Sequence, residues 1–158
     1  MKLFTSCFFL IVILLLVTHV FAVEEVDTGT QRNRMHSCPE GEFVVGVHVN
    51  NNLLLCSNEF MTPNVGVPEL VDSTTRPLWQ VGDRFISIHQ CPRGYAVTGI
   101  HVDRNELACA LISGNIPRFL DSGTQYNYGG ISMHRCPKGS PVAGIHVTKN
   151  ILVCGTQD

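Results

Sequence analysis

Apolar residues are distributed along this chain in two ways. Near the start they run together: Phe8 to Val17 is apolar without a break, with Lys2 before it and the short stretch Val20-Phe21-Ala22 after it. That is the pattern of a secretory signal peptide over residues 1–22. The run is about half of the roughly 20 residues a spanning helix needs, and Thr18 and His19 interrupt its continuation. No membrane span is expected there, and no second long apolar run follows.

Further on, the apolar residues gather into short β-branched and aromatic stretches punctuated by Pro-x-Gly and Asn. Tyr95 to Val102 lies between Pro92-Arg93-Gly94 and Asp103-Arg104-Asn105, and Leu107 to Ala110 follows. This reads as a strand, a turn and a partner strand. The same text occurs three times. Residues 35–56 are MHSCPEGEFVVGVHVNNNLLLC, residues 88–109 are IHQCPRGYAVTGIHVDRNELAC, and residues 133–154 are MHRCPKGSPVAGIHVTKNILVC. They align without a gap, and eleven of 22 columns are identical in all three. Upstream, Asp27, Asp72 and Asp121 each open a weaker Asp-Ser/Thr-x-Thr match, which reads as an Asx-type turn.

Each unit is too small to bury a core alone. The expected fold is therefore all-β: three internal repeats sharing one core with pseudo-threefold symmetry, β-trefoil- or β-prism-like, and stabilised by disulfides. Residues 23–158 form a single domain in this reading, with repeats at about 27–57, 72–110 and 121–155. Asn52, Asn105 and Asn150 close the hairpin turns, because Asn tolerates a left-handed backbone. A three-residue loop would set Val102 opposite Glu106, His101 opposite Leu107 and Gly99 opposite Cys109. Val97, Gly99, His101, Leu107 and Cys109 would then share a face, and Gly99, like Gly46 and Gly144, would clear space for a sulfur.

Composition changes the picture at one point, the cysteines. Without residues 1–22, seven cysteines become six: Cys38, Cys56, Cys91, Cys109, Cys136 and Cys154. An even set in an exported chain indicates a disulfide framework. The within-unit pairs Cys38–Cys56, Cys91–Cys109 and Cys136–Cys154 are preferred, although a tight Cys-Pro-x-Gly hairpin would hold them too far apart, which favours bonds between units. Loss of Lys2 leaves ten basic and thirteen acidic residues, a net charge of -3, with no basic excess for nucleic acid. No N-glycosylation sequon occurs.

Each unit also carries two histidines. A zinc site of the Cys2His2 type would need shorter spacings than these. Equivalent histidines meeting on a threefold axis would resemble a three-imidazole set for Zn or Cu, with His48, His101 and His146 the better trio. Otherwise no cofactor is expected. Nucleophile-elbow, zincin, phosphate-loop and dinucleotide motifs are all missing, so no catalytic residue and no enzyme activity are expected. Threefold repetition suits multivalent binding. Aromatic residues between the matched segments, Trp79, Tyr126 and Tyr128, are the candidate ligand platform, with Trp79 and Phe85 capping the core as the plainer alternative. The expected function is a secreted, extracellular, lectin-like module for a glycan or cell-surface molecule. The alternative is a small exported effector of the venom, salivary or host-defence kind.

Overall fold

The computed structural model describes residues 24–27, 31–32, 35–59, 70–112, 117–121 and 125–156. The expected signal peptide, Phe60 and the turns around Asn64–Pro68 and Asn115 lie outside them. Strands and two short 3-10 turns make up the regular structure, and no α-helix occurs among the described residues. The first unit contributes β1 (Glu24–Asp27), β2 (Gln31–Arg32), β3 (Met35–Ser37), β4 (Phe43–His48) and β5 (Leu53–Ser57). The second contributes β6 (Leu70–Asp72), β7 (Leu78–Val81), β8 (Arg84–Ser87), β9 (His89–Gln90), β10 (Tyr95–His101) and β11 (Glu106–Leu111). The third contributes β12 (Arg118–Asp121), β13 (Gln125–Tyr128), β14 (Ile131–Arg135), β15 (Val142–His146) and β16 (Ile151–Gly155). No described helix is long and apolar enough to cross a membrane.

Each unit is built on one hairpin, β4–β5, β10–β11 or β15–β16, flanked on its second strand by β1, β6 or β12. The other edge of each hairpin is taken by a different unit. The His-x-Cys strand β3 pairs with β10, β9 pairs with β15, and β14 pairs with β4. The exchange therefore runs from first unit to second, second to third and third to first. The sheets are open, and the closed barrel that a β-trefoil requires is not formed among the described residues.

The cysteines form Cys38–Cys56, Cys91–Cys109 and Cys136–Cys154, with Cα separations of 5.6, 5.8 and 5.7 Å. The geometric objection to this pairing disappears because the Cys-Pro-x-Gly segment is not a tight hairpin. The first cysteine leaves its own hairpin and donates its amide to the neighbouring unit: Cys38 N–H to Thr98 O, Cys91 N–H to Ala143 O and Cys136 N–H to Val45 O. The six half-cystines then lie in one central cluster with Val44, Val97 and Val142, with Val47, Ile100 and Ile145, and with Leu54, Leu107 and Leu152. The same five positions of every unit meet there. Each disulfide closes a loop spanning 18 positions, worth about 3 kcal/mol in the chain-entropy account.

The observed register differs from the expected one. His101 lies opposite Glu106, Ile100 opposite Leu107, Gly99 opposite Ala108 and Val97 opposite Cys109, with a bulge between Val97 and Gly99. The loop holds four residues, Val102 to Asn105, closed by Asn105 N–H to Val102 O at 3.1 Å. Asn52, Asn105 and Asn150 have φ near +52°, the left-handed conformation expected for them. The bulge turns Ile100 into the core and His101 out of it. Gly99 does not clear a sulfur. A methyl there would collide with Ser37 Oγ and approach His36 O at 3.0 Å, both on the first unit's crossing strand. At Gly144 it would meet Gln90 Cβ and His89 O, the latter at 2.7 Å, and at Gly46 it would meet Arg135 Cβ at 2.8 Å. These glycines admit the neighbouring unit's strand.

Candidate functional site: the hollows between units

Two hydrogen-bond systems grow from the repeated Asp, His and Asn. In the second unit Asp72 ends β6 and turns the chain. Its Oδ1 accepts from the Thr74 and Thr75 amides at 3.0 and 2.8 Å, and its Oδ2 accepts from Thr75 Oγ1 at 2.7 Å, the expected Asx turn. Oδ1 also faces His89 Nε2 at 3.1 Å. Burial raises the Asp72 carboxyl, but the hydrogen bonds from Thr75, His89 and Thr74 outweigh it and hold the group below the ordinary carboxylate value.

A carboxylate can only accept, so the His89 proton sits on Nε2, and in the neutral ring Nδ1 is an acceptor. Asn105 meets that acceptor. Oriented to satisfy both ends of its amide, it donates to His89 Nδ1 at 3.2 Å and accepts from Arg76 at 3.0 and 3.3 Å. The left-handed turn residue is thus tied to the buried histidine of its own unit.

The third unit repeats half of this. His134 Nε2 lies 2.9 Å from Asp121 Oδ1, which fixes the same tautomer. Its Nδ1 is buried and has no hydrogen-bond partner among the described residues. His134 and Asn150 line a hollow of about 290 Å³, closed on the far side by His48, Val49 and Asn50 of the first unit. An equivalent hollow of about 360 Å³ has His36 and Asn52 of the first unit on one wall, with His101 and Asp103 of the second on the other. One wall is therefore a buried histidine with a turn asparagine, and the other is the next unit's hairpin tip.

His48 and His101, two of the proposed metal trio, take part in those walls. Each uses Nδ1 to accept from its own loop, His48 from Asn51 N–H at 3.2 Å and His101 from Arg104 N–H at 3.4 Å. His146 faces Thr148 Oγ1 at 3.4 Å. No group of three or more His, Cys, Asp or Glu among the described residues is placed to hold a metal ion. The cysteines are bonded to one another in the core, and His89 and His134 are bonded to aspartates.

Of the aromatic residues, Trp79 is half-buried on the inner face of β7, packed on a cluster with Ile86, Ile88 and Val153. Phe85 does not cap the core, being 67% exposed. Tyr126 lies under the Arg135 guanidinium, 4.8 Å from ring centre to Cζ, and packs on the cluster with Phe43 and Met133. The Tyr128 side chain lies outside the described residues. The sequence pointed to the asparagines chiefly as turn residues and did not tie them to the first histidine of each unit. Their signal was identity in all three copies together with the upstream aspartate. Compared with known protein families, curated protein sequences and solved structures, the chain matches none of them.

Proposed function

We propose that this chain is an exported, non-catalytic, multivalent binding module of lectin-like kind, with a prism-like pseudo-threefold arrangement of its units. The observation that carries the reading is the recurrence of a hollow between neighbouring units, walled by a buried histidine and a left-handed asparagine. Imidazole and amide groups at fixed positions suit a ligand rich in hydroxyls. The half-buried Val49, present in both hollows, offers the apolar surface that a sugar ring also needs. Export is supported by the Lys2 and Phe8–Val17 leader pattern and by three disulfides. A prism-like rather than trefoil-like arrangement is supported by open sheets joined in a cycle. Two like sites on one chain favour binding to repeated extracellular glycans through avidity.

The test is retention of the oxidised protein on immobilised oligosaccharides. Asn52→Gly and Asn150→Gly keep a residue that accepts the left-handed backbone while removing the amide. Together they should weaken retention about tenfold or more with little change in melting temperature, as expected for loss of one or two polar contacts per site. Failure of every neutral oligosaccharide to retain the native protein would end the lectin-like reading.

A further inference from the structure

A third hollow, of about 460 Å³, lies away from those between the hairpin tips and has a different chemistry. Its walls are Trp79 on β7, Gln90 on β9, Arg93 in the Cys-Pro-x-Gly turn, Arg118 on β12, and Pro77 and Pro117. Arg118 is half-buried and donates to the carbonyls of Cys91, Pro92 and Tyr95. Carbonyls orient a guanidinium but do not neutralise it. Arg93 is exposed and makes no ion pair, and no acidic side chain lines the hollow, among the described residues. Burial first, and the Arg93 charge second, push Arg118 below its ordinary value. Two like charges therefore repel each other across one concave surface. A bound anion would relieve that repulsion, and Arg presents a planar fork that matches a carboxylate.

The remainder of the wall indicates what the anion is attached to. The Trp79 indole and two prolines supply an apolar side suited to a sugar ring. Two buried polar atoms of lining residues, Trp79 Nε1 and Gln90 Oε1, have no hydrogen-bond partner among the described residues, and Gln90 is only 9% exposed. A buried donor and a buried acceptor without partners are costly, and both are found here, beside a hollow large enough for a monosaccharide. We infer that this hollow is a second binding site and that its ligand is an acidic sugar, with its carboxylate on Arg93 and Arg118 and its ring against Trp79. The site shares no residue with the hollows between the hairpin tips, so it stands or falls separately from the neutral-glycan reading.

Trp79 is the chain's one tryptophan, so its fluorescence reports this site alone. The oxidised protein is titrated with glucuronate, with methyl glucoside and with inorganic sulfate. Glucuronate should give a saturable change that weakens as salt is raised. Arg93→Gln, at an exposed side chain without hydrogen bonds of its own, should raise the dissociation constant at least about fivefold, as expected for a charged contact. Methyl glucoside should give no saturable change. The inference is overturned if glucuronate gives no saturable change, if Arg93→Gln binds it as tightly as the native protein, or if methyl glucoside binds equally well. It is also overturned if sulfate matches glucuronate at equal concentration, since the apolar wall would then contribute nothing.

Discussion

Replacing Gly144 by alanine tests the strand exchange between units. An alanine in a strand ordinarily gains about 0.5–1 kcal/mol over glycine, because less backbone entropy is lost. At position 144 the new methyl would overlap Gln90 Cβ, and it would stand 2.7 Å from His89 O and 2.9 Å from Gln90 Cα. Two of those atoms are backbone, so no rotamer change removes the conflict. β9 must move off β15, and this stretches the adjoining Cys91 N–H to Ala143 O bond of 2.9 Å. Overpacking of this kind costs about 1–3 kcal/mol. With the backbone contacts placing it at the upper end, the net destabilisation should be about 2 kcal/mol, or a fall of about 8 °C in melting temperature at this size. Gly99→Ala should cost less, about 1 kcal/mol, because its closest obstacle is the Ser37 hydroxyl at the end of a side chain. Ser37→Ala should reduce the cost at Gly99 and leave that at Gly144 unchanged. Thermal or urea unfolding of the oxidised single and double variants measures these costs. A Gly144→Ala protein as stable as the native one would refute the reasoning, because a glycine facing open space gains from the methyl.

Two further perturbations address the polar framework. Asp72 holds its carboxyl below the ordinary value through hydrogen bonds made in the folded state. A depressed acid contributes stability above its unfolded pKa, about 4, and loses it as pH falls through the lower folded value. Melting temperature followed from neutral to acid pH should therefore fall more for the native protein than for Asp72→Asn, and parallel curves would contradict this. Arg118→Ala should cost about 2–3 kcal/mol by leaving three carbonyls without their donor. Arg118→Lys should recover less than half of that in urea unfolding, since an ammonium cannot reproduce the fork.

What could be read in the sequence was set by contacts within a unit. The left-handed asparagines, the turn at Asp72 and the pairing of Cys38 with Cys56 each depend on residues close in the chain, and each leaves a local signature. The strand exchange leaves only the repeated Gly46, Gly99 and Gly144, which one unit alone cannot explain because the strand they admit comes from another unit. The bulge occupies Val45, Thr98 and Ala143, three different residue types that form no motif. What they share is a carbonyl that accepts a cysteine amide from the neighbouring unit. Without that bulge, alternation puts His101 and Gly99 on the core face and Ile100 outside. With it, Ile100 joins the core and the histidine reaches the loop, which places it in a hollow's wall. The error in register and the omission of the hollows between units therefore have one origin.

On the proposed reading, the second unit departs from its neighbours in a way that sets how many like sites the molecule presents. Gln31, Arg76 and Gln125 occupy corresponding places after the repeated aspartates. In the third unit Gln125 accepts from Ser132 Oγ at 3.0 Å on its own hairpin, and Asn150 faces a hollow. In the second unit Arg76 reaches the Asn105 amide and holds it against His89. The two polar groups that would face a ligand are bonded to each other and to a cation instead. Arg76→Gln restores the residue found in the other two units, and Ser87, the counterpart of Ser132, already lies against this segment through its bond to Arg76 O at 3.3 Å. The exchange should release Asn105 at little cost, since an exposed arginine contributes about 0–1 kcal/mol. Calorimetric titration with whichever neutral oligosaccharide the native protein retains should give two sites per chain, and Arg76→Gln should give three with similar affinity. An unchanged count would show that Arg76 is not what separates the second unit from the others, and a count of one in the native protein would break the equivalence of the two hollows on which the multivalent reading depends.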